Sequence, residues 1–438
     1  MTRAGRFIRG VCLEVALGSS GCTLLNDIDV CGTSLPEHIV NQLTNRAELI
    51  TSTSSVASIE YDRILVAFVA AGGGEPHAVR IVIQDAATGT PQSACGVPNR
   101  SELELGAGEL VSVAAVDSPR ADRSVVAAIG WVEALGTEPA PRGLLRFIGT
   151  GGCPVGSPLV LSPNIHDGDL HLLSTGHPEF PVAALLTDTR TVRLVLVAES
   201  RVVRTLDLAR ENSVLASHAL GLASNRAGTM LAAWLVQTSL SRGEIAVHAS
   251  LFSEADLASP SAMPPDVFTL PFPVGFAPTD GGAPNLAVVA QGSEFLIALS
   301  AARSRLDPHE LWVQRIDAKG KAVGAPIHVD EQREARMPTL IELDSARWMV
   351  GWATATQHRA QVFTRAGDAS FQTLTCSAES FTIGDLREGV SVEVSGLATA
   401  LAAGRLWFVR SASHISDGTE TAVVASSVEL ERLLGLRP

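Results

Sequence analysis

Tyrosine is nearly missing from this chain of 438 residues: Tyr61 is the only one, and aromatic residues make up just 5%. That scarcity weighs against a carbohydrate-processing site, since propeller enzymes usually place several Asp, His, Arg or Tyr residues at or near the channel. Lysine is restricted to Lys319 and Lys321, and the formal net charge is −13. An acidic surface repels phosphate backbones, so no nucleic-acid partner is expected. Beyond the N-terminus, no segment approaches the ~18 to 20 apolar residues that span a bilayer. Also missing are a Gly-x-Ser-x-Gly elbow, a His-Glu-x-x-His pair, a Walker loop, a complete Gly-x-Gly-x-x-Gly fingerprint and the Asp-box of sialidases. No catalytic residue is therefore assigned. What the chain does have is apolar material: 46% hydrophobic against 18% charged residues, enough to bury a large core.

The N-terminus reads as an export signal. Arg3, Arg6 and Arg9 form a positive region, and Val11 to Leu17 is a short apolar stretch interrupted by Glu14. Small residues then lead into Cys22, as in a bacterial lipobox, although Ser19 stands where that motif prefers an aliphatic residue. The expectation is a signal peptide over 1–21, a linker and closing strand over 22–48, and one repeat domain over 49–438. Cys22 is the lipidation candidate. The expected location is the cell envelope, as an outer-membrane lipoprotein or a secreted protein, with membrane attachment only through the lipid.

A pattern returns seven times along the rest of the chain. A short apolar segment meets a polar turn, and an apolar run then closes on a bulky residue: Phe68, Trp131, Leu185, Trp234, Leu299, Trp352 and Val409. The intervals run from 49 to 65 residues. Val56 to Phe68, Leu173 to Leu185, Leu222 to Trp234, Leu340 to Trp352 and Leu397 to Val409 share one offset. Each run is followed by another β-rich run, such as Ala78 to Gln84 or Ile245 to Phe252, and then by a weaker one, such as Pro158 to Leu161. Gly, Pro, Asp and Ser break them, which is the hairpin signature. Four strands per unit in seven units predict an all-β fold, a seven-bladed β-propeller. Trp131, Trp234 and Trp352 recur at the same place, as expected of residues packed between adjacent blades. Val428 to Leu436 is expected to make at most a terminal helical turn.

Leu311-Trp312-Val313-Gln314-Arg315-Ile316-Asp317-Ala318-Lys319-Gly320 resembles a repeat in secreted propeller-like proteins of myxobacteria and related bacteria. There a strand ending Arg-hydrophobic-Asp-x-x-Gly makes a turn in which Asp bonds its own backbone and Gly takes positive φ. Asp85-Ala86-Ala87-Thr88-Gly89 is a looser match. The resemblance implies a fold and a compartment and brings no catalytic residues.

The seventh unit lacks a fourth strand. Cys31-Gly32 resembles Cys95-Gly96, which precedes the outer strand of the first unit, as Cys153-Pro154 does in the second. Cys31 onward is thus expected to supply the outer strand of the last blade, closing the ring and removing a sheet edge. On this alignment Cys31, Cys376, Cys95 and Cys153 precede the outer strands of four contiguous blades. Pairing Cys31 with Cys376 and Cys95 with Cys153 joins neighbours only. The ~4.4 to 6.8 Å between α-carbons that a disulfide demands is shorter than the usual spacing of blade rims.

One polar cluster stands out: Asn164, His166, Asp167, Asp169 and His171. Carboxylates there suit Ca²⁺ and imidazoles suit Zn²⁺; the competing reading is a solvated loop between blades. No other cofactor is expected. The loops on the face between blades are rich in Asp, Glu and His, among them Glu133, Glu211 and His309. Together these features describe an exported propeller that serves as a binding module for a protein or glycan ligand, working as a monomer. The alternative is a glycan hydrolase or lyase acting at the channel mouth. Three or more convergent carboxylates, histidines or arginines there would favour the enzyme. Cys22→Ser is expected to abolish labelling by a radioactive fatty acid in a bacterial host. Equal labelling of both proteins, or of neither, would refute lipidation.

Overall fold

The computed structural model describes residues 39–42, 49–71, 77–97, 101–116, 125–133, 141–165, 169–187, 190–211, 214–215, 219–225, 227–239, 242–253, 257–259, 266–277, 283–330, 335–354, 358–366, 370–373, 381–382, 392–414 and 421–433. They form seven antiparallel sheets in chain order, each a blade of four strands; the sixth has a fifth strand, Phe381–Thr382. The innermost strands are Leu49–Ile59, Leu110–Ala115, Leu170–Ser174, Leu220–Ser224, Asn285–Gln291, Arg336–Glu342 and Val392–Ala402. Each touches the inner strands on either side, and the first touches the last. This is a seven-bladed β-propeller. Leu430–Leu433 adds one helical turn, as expected.

The last blade is closed from the other end of the chain. Strand Ile39–Gln42 pairs antiparallel with Thr421–Glu429, from Ile39 opposite Ser427 to Gln42 opposite Val424. An N-terminal strand therefore does complete blade seven. Cys31 lies outside the described residues.

The Asp-x-x-Gly turn forms as expected. The Asp317 carboxylate accepts the amides of Lys319 and Lys321, both at 2.8 Å, and Gly320 sits at φ 81°. At Asp85 the carboxylate accepts the amides of Ala87 and Thr88 and the Thr88 hydroxyl, with Gly89 at φ 71°. Asn225 and Asp344 cap other hairpins in the same way. Short side-chain acceptors thus fix the turns that set the strand register.

What holds the blades together is an alternation on each second strand. Trp131 packs with blade one, Trp234 with blade three and Trp352 with blade five, each on the preceding blade. Phe68 meets blade seven and Leu299 blade four. All five are essentially fully buried. The neighbouring residues Ala67, Gly130, Ala233, Ala298 and Gly351 are small and point the other way, towards the following blade. Leu185 and Val409 do not share the phase of the other five. Leu185 packs towards blade four and Val409 towards blade one, while Leu186 and Phe408 face backwards. The repeat alignment is one residue out in those two units, and a shift of one residue swaps the faces of a strand.

Small residues let the following blade approach. At Gly221 an added Cβ would collide with Val288 Cγ2 on the next inner strand and lie 2.9 Å from Val288 Cβ. Both groups are fixed, one by the ladder and the other by β-branching. Gly221→Ala is therefore expected to cost about 1–3 kcal/mol through overpacking. In a domain this large that corresponds to a fall of about 1–4 °C in the calorimetric midpoint. An unchanged or higher midpoint would show that blades four and five have slack.

Candidate functional site

The inner strands enclose an axial cavity of about 300 Å³. At one level of its wall the ladder brings together seven equivalent positions, each opposite the second-strand residue that faces the following blade. They are Ser55, Ser112, His171, Gly221, Ala287, Thr339 and Ala398. Six are small. His171 is the exception, and it lines the cavity together with Asp169, Asn285 and the hydroxyls of Ser54, Ser55, Ser112, Thr339 and Thr399.

Many of these polar atoms bond one blade to the next. Val113 N–H donates to Ser55 Oγ at 3.1 Å, and Leu172 N–H to Ser112 Oγ at 2.9 Å. Met337 N–H donates to Asn285 Oδ1 at 3.2 Å, and the Thr339 and Thr399 hydroxyls lie 3.0 Å apart. Inner strands have one edge without a strand partner, so their amides need acceptors from elsewhere. Met337 itself is held at φ 50° within an irregular stretch of its strand, next to Pro338. Proline is tolerated here because the inner strand is an edge.

The polar cluster of 164–171 is divided by the fold. Asp169 is buried, and both its oxygens accept backbone amides: Leu170 N–H at 2.8 Å and Ala219 N–H at 2.9 Å, the latter across to blade four. Its own amide donates to Thr187 Oγ1. Asn164 is exposed just after blade two's outer strand, Pro154–Ser162, and its carbonyl accepts the Ser162 hydroxyl. His166 and Asp167 lie outside the described residues, as do Cys22, Cys31 and Cys376. Among the described residues no three His, Cys, Asp or Glu side chains converge as metal ligands. Of the cluster, Asp169 and His171 reach the axial cavity. Cys95 and Cys153 are brought to one turn on the flank between blades one and two.

Two further clusters carry no motif that marks them in the sequence. Glu211 accepts the Trp234 indole N–H at 3.3 Å and sits 2.7 Å from His248 Nδ1. Glu310 accepts the Trp312 indole N–H at 2.9 Å and pairs with Arg303, while His328 stacks on Trp312 at 4.5 Å between ring centres. Both clusters satisfy a tryptophan donor that would otherwise be stranded. His309, expected on the polar face, is instead buried against the Ser300 hydroxyl at 2.9 Å.

Glu133 on that face grips Arg142 through two bonds, of 2.6 and 2.7 Å. The Arg142 hydrogen bonds, opposed by partial burial and aided by its charge, hold the Glu133 carboxyl below the ordinary glutamate range. A depressed folded-state pKa contributes stability above the unfolded value of about 4.3 and loses it as pH falls through the folded one. Arg142→Gln is expected to raise the Glu133 midpoint seen by carboxyl NMR. The stability difference from wild type should be present at neutral pH and vanish in acid. A midpoint that stays put would show that other groups hold it down.

No protein-family model matches the chain. No curated protein matches it in sequence. Solved structures of similar shape include a protein of unknown function from Dyadobacter fermentans, 11% identical, covering 90% of this chain and 100% of that one at a TM-score of 0.49. Another is the β-propeller domain of the Trilobed protease from Pyrococcus furiosus, with an open velcro topology; it is 8% identical, with coverage of 87% and 97% and a TM-score of 0.45. A mutant NanB sialidase from Streptococcus pneumoniae is 9% identical, with coverage of 91% and 71% and a TM-score of 0.47.

Proposed function

We propose that this propeller is an exported binding module whose axial cavity takes a neutral, hydroxyl-rich ligand such as a glycan terminus. One observation carries the reading: an imidazole stands at His171 where the equivalent positions of the other blades hold Ser, Gly, Ala or Thr. At that level the other residues are small, so one bulky polar group fixes orientation while nearby hydroxyls supply adaptable partners; Leu and Val side chains line much of the remaining cavity. The Asp169 carboxylate is spent on two backbone amides, so it acts as a strut between blades and not as a general acid or base. Export follows from the N-terminal reading, and a lipid on Cys22 would hold the module at a membrane surface.

A glycan array probed with the labelled protein tests the idea. Retention on neutral glycans is expected, with at least a tenfold loss for His171→Ser, a change to the residue that other blades already carry. Binding indifferent to that change would place the ligand elsewhere. Cleavage of the captured glycan would favour the hydrolase reading instead.

A further inference from the structure

Cys95 lies in the loop between the third and fourth strands of blade one, Ala78–Asp85 and Glu102–Ala107. Cys153 lies just before the fourth strand of blade two, Pro154–Ser162. The two loops are in direct contact. Cys95 N–H donates to Gly151 O at 3.1 Å, and the Cys153 sulfur sits 4.0 Å from that same oxygen. The Cys95 sulfur lies 3.8 Å from the next carbonyl, Gly152 O. Two successive peptide carbonyls of blade two therefore each have a thiol against them. Arg63, at the start of blade one's second strand Arg63–Ala71, also holds the blade-two turn by donating to Thr150 O at 2.9 Å.

Neither loop is free to drift apart. Gly149 and Cys153 close a tight turn through Gly149 N–H to Cys153 O at 2.8 Å and Gly152 N–H to Gly149 O at 2.8 Å. Gly152 is at φ 74°, and a Cβ there would meet Ile83 Cδ1 at 2.9 Å, so blade one packs down onto the turn. Cys95 is itself in the left-handed region, at φ 56° and ψ 27°, a conformation a non-glycine residue holds only when its surroundings impose it. Both side chains are partly exposed, and both are thiols in this structure.

We infer that Cys95 and Cys153 are a built modification site: a dithiol that a disulfide oxidant converts into a crosslink between blades one and two. The partly exposed Cys153 thiolate attacks one sulfur of the oxidant and expels a thiol, leaving a mixed disulfide. The Cys95 thiolate then attacks the Cys153 sulfur, and the second oxidant thiol leaves. Two protein thiols and one oxidant disulfide become one protein disulfide and two oxidant thiols, with the protons passing to the departing sulfurs. The inference is independent of what the axial cavity binds.

The full chain is incubated with oxidised glutathione, and its cysteines are mapped on peptides without reduction. A Cys95–Cys153 link is expected, with no glutathione left on either residue and a thermal midpoint raised by about 1–4 °C over the reduced protein. Cys95→Ser should trap glutathione on Cys153, because the resolving thiol is gone. Stable glutathione adducts on both residues of the wild type, linkage of either to another cysteine, or two thiols untouched by the oxidant would each overturn the inference.

Discussion

Everything in this molecule depends on sheets meeting face to face around an axis. A blade buries little by itself; its apolar residues leave water only when the neighbouring blades arrive on both sides. The second strands show how the contact is made, with a bulky residue facing back and a small one facing forward. Trp131 beside Gly130, Trp234 beside Ala233 and Trp352 beside Gly351 repeat that choice. The large residue fills the gap to one neighbour, and the small one admits the inner strand of the other. Burial of side chains such as Phe68 and Leu299 supplies about 1.5–3 kcal/mol each. That stabilisation is collected only where the neighbouring blade is in place.

The same geometry makes the axis chemically sparing. Seven inner strands converge, and each has amides facing the next blade without a ladder to join. Ser55, Ser112, Asp169 and Asn285 serve these amides before they can serve a ligand. A polar residue near the axis of a propeller is thus not by itself a sign of catalysis. The residue that stands out does so by breaking the repeat, as His171 does, and not by being polar.

The architecture could be read from the sequence because it is local and repeated. A turn signal, an apolar run and a bulky closing residue recur often enough to count blades, and the resemblance of the N-terminus to later units pointed to the closing strand. Phase was harder to read. Leu185 lies in Val182–Thr187, a strand buried on both faces, so no alternation marks which side is which. Leu406-Trp407-Phe408-Val409 is bulky throughout and hides its phase in the same way. The role of Asp169 was out of reach for another reason: its partner, Ala219, is fixed by the packing of two blades, 50 residues apart in the chain. Metal-like spacing in a loop cannot reveal that a carboxylate is already occupied by amides.

The outer strand of blade seven begins the described chain, and its partner nearly ends it. Synthesis therefore delivers Ile39–Gln42 first and the strand that receives it, Thr421–Glu429, last. Every intermediate blade can form from its own hairpins as it emerges, but the early strand has to wait, solvated and unpaired, for almost the whole chain. Joining ends this distant is entropically slow compared with zipping a local hairpin. The ring thus fastens like a clasp whose two halves are made at opposite ends of translation. Until they meet, blades one and seven both present raw flanks to any other half-made copy nearby.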